Sequence, residues 1–300
     1  MWLLLAFSGP VLWAASTHID KYLVDRYFKG ADTAVLMVFT AVVGLLMLPF
    51  IAFIRPQTLT LDHVSIAVMI ASGVLYMGAM LFYLRAIQVN EASVIAPLFQ
   101  ASTIFTLALG YLVLGEIPTS RKLAGVALIV AGALLLTVRA SPRARMSFQL
   151  VILMLGCTFV VALSSVIFKY FAVRDDFWST TFWMFVGEAL FGAGILALPQ
   201  YRRQFAALLR TNTAALLGVN GANELINLGG GLGVRFASLL APVAVVSAVS
   251  STTSLFVFGF GVLLTWFAPS LSREDMSAPN LIRKGVAASI VTAGVFLTAL

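Results

Sequence analysis

Asn220, Asn223, Glu224 and Asn227 recur at i, i+3, i+4 and i+7 in an otherwise apolar stretch. On a helix that spacing puts all four on one face. A carboxylate flanked by amides on such a face can hold a proton, a cation or an ammonium group. The alternative is hydrogen-bonding glue between helices, as amides in membranes supply. Glu188 is a second carboxylate deep in an apolar run, beside Trp183, Met184 and Gly187. An ionised side chain at mid-bilayer costs at least ~2.5–3.5 kcal/mol, so each such group needs a partner, water or a proton.

Near the N-terminus Trp13, Ser16, Thr17 and Asp20 share one helical face, with His18, Lys21 and Asp25 on another. Lys21 and Lys169 sit about three residues inside the ends of their runs, where a long amine can snorkel to the headgroups. The other reading pairs a lysine with Asp20, Glu188 or a substrate carboxylate. Tyr76 and Tyr83 are candidates to stack on a ligand, and Gln100, Thr103 and Thr106 follow Pro97 along adjoining positions. Ser247, Ser250, Ser251 and Ser254 repeat the i, i+3, i+4, i+7 pattern as a small face suited to close packing. Gly229, Gly230, Gly231 and Gly233 either hinge a helix end or allow close approach.

These residues have to be positioned by membrane helices. Apolar residues make up 61% of the 300, charged residues 10%, and the mean hydropathy is +1.01, whereas soluble domains run near 45–50% and 25%. Breaking at charges, prolines and polar clusters predicts ten spans near 2–24, 34–54, 63–84, 92–114, 120–138, 148–172, 179–198, 213–234, 238–265 and 283–299. The expected fold is therefore an all-α integral membrane protein of ten transmembrane helices with short connections. Nothing is left over for a catalytic domain. Met1 to Leu12 lacks a basic region and a small-residue cleavage site, which reads as a retained helix.

The net charge of +7 does not imply nucleic acid, because Lys and Arg gather between the runs, where anionic lipid accounts for them. The single cysteine, Cys157, excludes disulfides, and no metal-ligand spacing, nucleophile elbow or phosphate loop is present. No cofactor and no catalytic residue is expected. The expected partners are the bilayer, a small-molecule substrate and protons as coupling ion, with the oligomeric state open.

The chain also repeats itself. Ala92-Ser93-Val94-Ile95-Ala96-Pro97 matches Ala237-Ser238-Leu239-Leu240-Ala241-Pro242, and Ser16-Thr17 with Lys21-Tyr22 matches Ser164-Ser165 with Lys169-Tyr170. Arg121-Lys122 with Gly132 matches Arg283-Lys284 with Gly294. The three matches keep one order and nearly one offset. They define a first five-helix repeat over 1–138, a linker over 139–147 and a second repeat over 148–300. Five is odd, so the second repeat enters the membrane inverted, an arrangement that suits alternating access.

With Leu114-Gly115-Glu116 and the run from Arg121 to Gly132, the sequence resembles the EamA-type branch of the drug/metabolite transporter superfamily. That resemblance implies ten helices in two inverted repeats, and secondary transport, commonly export, of amino acids or other small metabolites such as organic cations. It also implies cytoplasmic termini in a bacterial-type inner membrane. Charge points the other way: twelve Lys and Arg fall in loops after odd-numbered spans and five after even-numbered ones, which puts both termini outside. Two rival classes are a membrane-embedded enzyme acting on lipid-linked substrates and a non-transporting scaffold.

Overall fold

The computed structural model describes residues 1–26, 32–89, 98–99, 101–137, 148–267 and 277–299. Within them the secondary structure is helical throughout. The long helices are α1 (Trp2–Arg26), α2 (Thr33–Ile54), α3 (His63–Val89), α4 (Ala101–Leu114), α5 (Ser120–Thr137), α6 (Phe148–Arg174) and α7 (Phe177–Ala197). They continue with α8 (Pro199–Ala215), a π turn at Leu216–Asn220, α9 (Gly221–Leu240), α10 (Val243–Ser250), α11 (Thr253–Phe267) and α12 (Ala278–Ala299).

Seven segments among the described residues are long and apolar enough to cross a membrane: Trp2–Leu23, Thr33–Ile54, His63–Ala86, Phe148–Arg174, Phe177–Ala197, Val243–Phe267 and Leu281–Thr298. This is a multi-pass membrane protein. Large apolar side chains such as Leu46, Phe50, Phe53, Leu112 and Phe296 face outward, as they must when the solvent is lipid. The helix α9 is not among the seven. Its asparagines, Glu224 and Arg235 lower its hydropathy, and it packs against α1, α2, α6 and α10 while Leu225, Phe236 and Leu240 face outward.

The most extensive helix contacts are α5 with α12, α1 with α9, α2 with α7, α3 with α7 and α4 with α6, followed by α3 with α6 and α1 with α11. Glycines allow the closest of these. A Cβ on Gly187 would run into the Ile70 carbonyl and one on Gly73 into the Met184 carbonyl, so α3 and α7 cross backbone to backbone. A Cβ on Gly125 would meet the Gly294 carbonyl at 2.7 Å, which is how α5 and α12 approach. The Gly229–Gly233 cluster has the same use: Gly230 lies against Trp13 and Gly9, Gly233 lies against Ser8, and α9 runs unbroken past both. Gly230 and Gly233 thus serve close packing.

Three sequence expectations need correction. The connection after α7 is not a short loop but α8, an amphipathic helix whose alternation of Arg and apolar residues falls below any hydropathy threshold for a span. The single span expected over 238–265 is two helices, separated at Ser251 and Thr252, where the hydroxyls of Ser250, Ser251 and Thr252 bond the Val246, Ala248 and Val249 carbonyls. Such back-bonding bends helices. Arg235, counted as a loop residue, lies inside α9. Pro97, Gln100 and the linker 139–147 lie outside the described residues.

Both α2 and α7 begin on an aspartate N-cap. Asp32 accepts from the Ala34 amide at 2.8 Å, and Asp176 accepts from the Trp178 and Ser179 amides at 3.0 Å each.

Candidate functional site

The polar face of α9 meets α1 and α2. Asn223, 0% exposed, donates through Nδ2 to Asp20 Oδ1 at 2.6 Å, and Ser16 Oγ donates to Asp20 Oδ2 at 3.4 Å. Glu224, 7% exposed, accepts from Thr40 Oγ1 at 3.2 Å and from the Asn227 side chain. Trp13 Nε1 donates to the Asn227 carbonyl at 3.3 Å, pinning α1 to α9, while Thr17 Oγ1 turns back to the Trp13 carbonyl at 2.8 Å. Asn220 is buried in the π turn that opens α9. The helical spacing thus buries Asn220, Asn223 and Glu224 on one side of the helix, with Asn223 and Glu224 reaching the exposed Asp20 of α1 and Asn227 only partly buried.

Two features of this cluster are unusual for a packing joint. Asp20 and Glu224 act electrostatically on one another, yet among the described residues neither carboxylate has an ion-pair partner. Asn223 Oδ1 is buried and, among the described residues, has no hydrogen-bond donor. A buried acceptor left alone costs about 1–3 kcal/mol. Three oxygen-bearing groups therefore converge where positive charge or a donor is lacking.

Glu188 is handled differently. Its Oε1 accepts from Arg235 Nη2 at 3.2 Å, and the guanidinium lies over the Phe168 and Phe185 rings, 5.3 Å from each centroid. Tyr76 feels both charges of the pair. Of the alternatives that paired a lysine with Asp20, Glu188 or a substrate carboxylate, the one for Glu188 is corrected by this contact, since its partner is an arginine. Arg235 was missed because a lone arginine near the end of an apolar run reads as an interface residue.

Lys169 does not snorkel. Its Nζ is 2.5 Å from Glu116 Oε1 and donates to the Ala241 carbonyl at 2.7 Å, while Glu116 Oε2 accepts from the Val243 amide at 2.8 Å. This latch ties the ends of α4 and α6 to the junction of α9 and α10. Gly115, at φ +66°, supplies the left-handed turn that ends α4 and returns Glu116 toward the bundle. Glu116 stands in the Leu-Gly-Glu run, but nothing in its spacing marks a partner 53 positions away.

At the same end, outside the spans, Asp62 caps α3. The Ser65 hydroxyl, then the Ser65 amide, hold its carboxyl below the usual carboxylate range, with Arg174 Nη2 at 3.0 Å adding to the effect. A depressed carboxylate stabilises the fold above its unfolded-state value and ceases to as pH falls through the folded one.

The remaining candidates are dispersed. Lys21 is exposed. Tyr83 packs on Phe99, centroids 4.4 Å apart, beside Ala86, Leu150 and Met154, away from the α9 cluster. His18 Nε2 contacts the Val257 carbonyl at 3.0 Å. Ser247 and Thr103 share a 3.2 Å hydrogen bond that joins α10 to α4. Among the described residues no His, Cys, Asp and Glu cluster could hold a metal ion.

Comparison with known proteins supports the membrane-transport reading. Residues 1–138 match the EamA-like transporter family, part of the drug/metabolite transporter superfamily. No curated protein matches the chain. A solved structure described as "Crystal structure of protein" is similar over 99% of this chain and 95% of its own, with a TM-score of 0.66 at 13% identity. At that identity the likeness concerns the fold alone.

Proposed function

We propose, from a first half that matches the EamA-like transporter family, that the chain is a secondary transporter of a small metabolite, with Asp20, Asn223 and Glu224 as its coupling and binding centre. The observation that carries this reading is the buried Glu224 carboxylate, which among the described residues has no basic partner and lies near the exposed Asp20 and the orphaned Asn223 carbonyl. Burying one carboxylate beside a second requires compensation. A proton or a cationic substrate group supplies it, and exchange of one for the other couples substrate to proton movement. Members of the EamA-like family are transporters of small molecules rather than enzymes.

The finer architecture belongs to the same proposal: ten spans in two inverted repeats, with α9 and its π turn as span eight and α10 with α11 as span nine. The packing supports it. Exchanging each span for its counterpart five places along turns α1 on α9 into α6 on α3, α1 on α11 into α6 on α4, and leaves α2 on α7 and α5 on α12 unchanged. The aspartate caps of α2 and α7 are a matching pair. Two similar halves can tilt about the central site and open it to either face.

For orientation, removing Arg235 from the loops sharpens the charge asymmetry, and the arginines of α8 stay on the richer side. That side is taken as cytoplasmic. A reporter fused after Leu300 is then expected to be active outside the inner membrane, and one inserted between Arg139 and Arg145 to be active in the cytoplasm; the reverse pattern restores the orientation implied by the family resemblance.

Function itself is tested by reconstituting the chain in sealed vesicles and measuring uptake from a panel of amino acids and organic cations with and without a pH gradient. The expected result is saturable uptake of at least one compound, accelerated by the gradient. Uniformly empty vesicles would favour a scaffold.

A further inference from the structure

The helix α8 does nothing in the transport reading, yet it is held with care. Tyr201 OH accepts from Arg85 Nη2 of α3 at 3.0 Å, Gln204 Oε1 accepts from the Asp32 amide that opens α2 at 3.0 Å, and Arg85 also pairs with Asp32 at 3.1 Å. Farther along, Phe205 packs on Phe39 of α2, ring centroids 5.0 Å apart, and Phe205, Leu208 and Leu209 belong to the cluster around Leu23 of α1. Successive residues of α8 thus meet α3, α2 and α1 in turn. The helix crosses the ends of three spans instead of running beside one, which lays it along the membrane surface.

Its outer side is basic. At 3.6 residues per turn, Arg202, Arg203 and Arg210 fall within an arc of about 100°, and Tyr201, Phe205, Leu208 and Leu209 fill a separate arc of about 100°. The second arc faces the protein, while all three arginines are exposed. Among the described residues no acidic side chain forms an ion pair with any of them. Guanidinium groups at headgroup depth match phosphate in charge and in fork geometry.

We propose that the Arg202–Arg203–Arg210 face of α8 is a docking surface for anionic phospholipid headgroups, which clamp α8 over the ends of α1, α2 and α3. The negative surface potential of an anionic leaflet attracts each basic residue near it, and here three such residues share one helix. Because α8 carries the contacts to Asp32 and Phe39, the bound lipid fixes the first two turns of α2, where Thr40, one residue past Phe39, holds Glu224. This inference does not depend on the transport reading, since it concerns a different surface and a different ligand.

The test uses the full chain in nanodiscs of phosphatidylcholine, with or without phosphatidylglycerol, and reads Tm. Phosphatidylglycerol is expected to raise the Tm of the native protein by several degrees, and high salt to abolish the rise. The triple variant R202Q/R203Q/R210Q should match the native Tm in phosphatidylcholine and lose the rise, while R202K/R203K/R210K should keep it. A rise that survives in the glutamine variant, or no rise in the native protein, would overturn the proposal. So would an equal rise from inorganic phosphate added to phosphatidylcholine discs, which would assign the surface to a soluble anion.

Discussion

Glu224→Gln is expected to insert and fold like the native chain and to lose flux, to less than about a tenth of the native rate, because the amide keeps the shape of the side chain but cannot exchange a proton or balance a cation. Its hydrogen bonds from Thr40 and Asn227 can be retained by the amide oxygen. Stability should therefore change by no more than ~1 kcal/mol, the scale of one interhelical hydrogen bond in a membrane protein. The measurement is vesicle uptake with thermal unfolding of the same preparation. Native flux in the glutamine variant would reduce Glu224 to packing glue.

The second large effect concerns the Glu188–Arg235 pair, and its sign follows from burial. Glu188 is 5% exposed, and the Arg235 side chain is held against two phenylalanine rings. Arg235→Met leaves a buried carboxylate without its counter-charge, a loss of about 3 kcal/mol or more. Replacing both, Glu188→Leu with Arg235→Met, should recover most of that stability, since an apolar pair needs no compensation. Thermal unfolding of the native protein, Arg235→Met, Glu188→Leu and the double variant closes a double-mutant cycle, in which the comparison of Arg235→Met with the double variant decides. Equal stability of the two would mean that the pair does not act as a unit.

What the sequence disclosed, and what it hid, follows from how local each signal is. The apolar runs of α2, α3, α6 and α7 declare themselves because about 20 consecutive residues share one solvent. The α9 stripe is legible for a similar reason, since Asn220 to Asn227 lie within two turns and their spacing alone puts them on one side. Asp20 could be suspected but not joined to Asn223, from which 203 positions separate it. Arg235 and Glu188 are 47 apart and Lys169 and Glu116 are 53 apart, so each looked like a solitary charge with an interface to reach. Pairing became visible only when α7 met α9, and when α6 met the end of α4. The amphipathic α8 was lost to a loop because its arginines lower the hydropathy of a helix whose apolar side is buried in the protein. The break after Ser250 was hidden by the same serines that read as a smooth small face.

The Lys169–Glu116 latch also sets Lys169 apart from Lys21, the residue it matches in sequence. Lys21, the repeat mate of Lys169, is exposed, whereas Lys169 is bound into the α9–α10 junction through Glu116 and the Ala241 carbonyl.

The central claim, that Asp20 and Glu224 hold either protons or a cationic substrate group, is tested most directly by counting protons while a transported compound binds. The purified chain in weakly buffered solution is titrated with a cationic compound that the vesicle assay has shown to be carried, and the pH is followed. Binding to the native protein should release protons, and the double variant Asp20→Asn with Glu224→Gln should release none and bind far more weakly. Tight binding without proton release in the native protein, at an affinity that the double variant retains, would contradict the account.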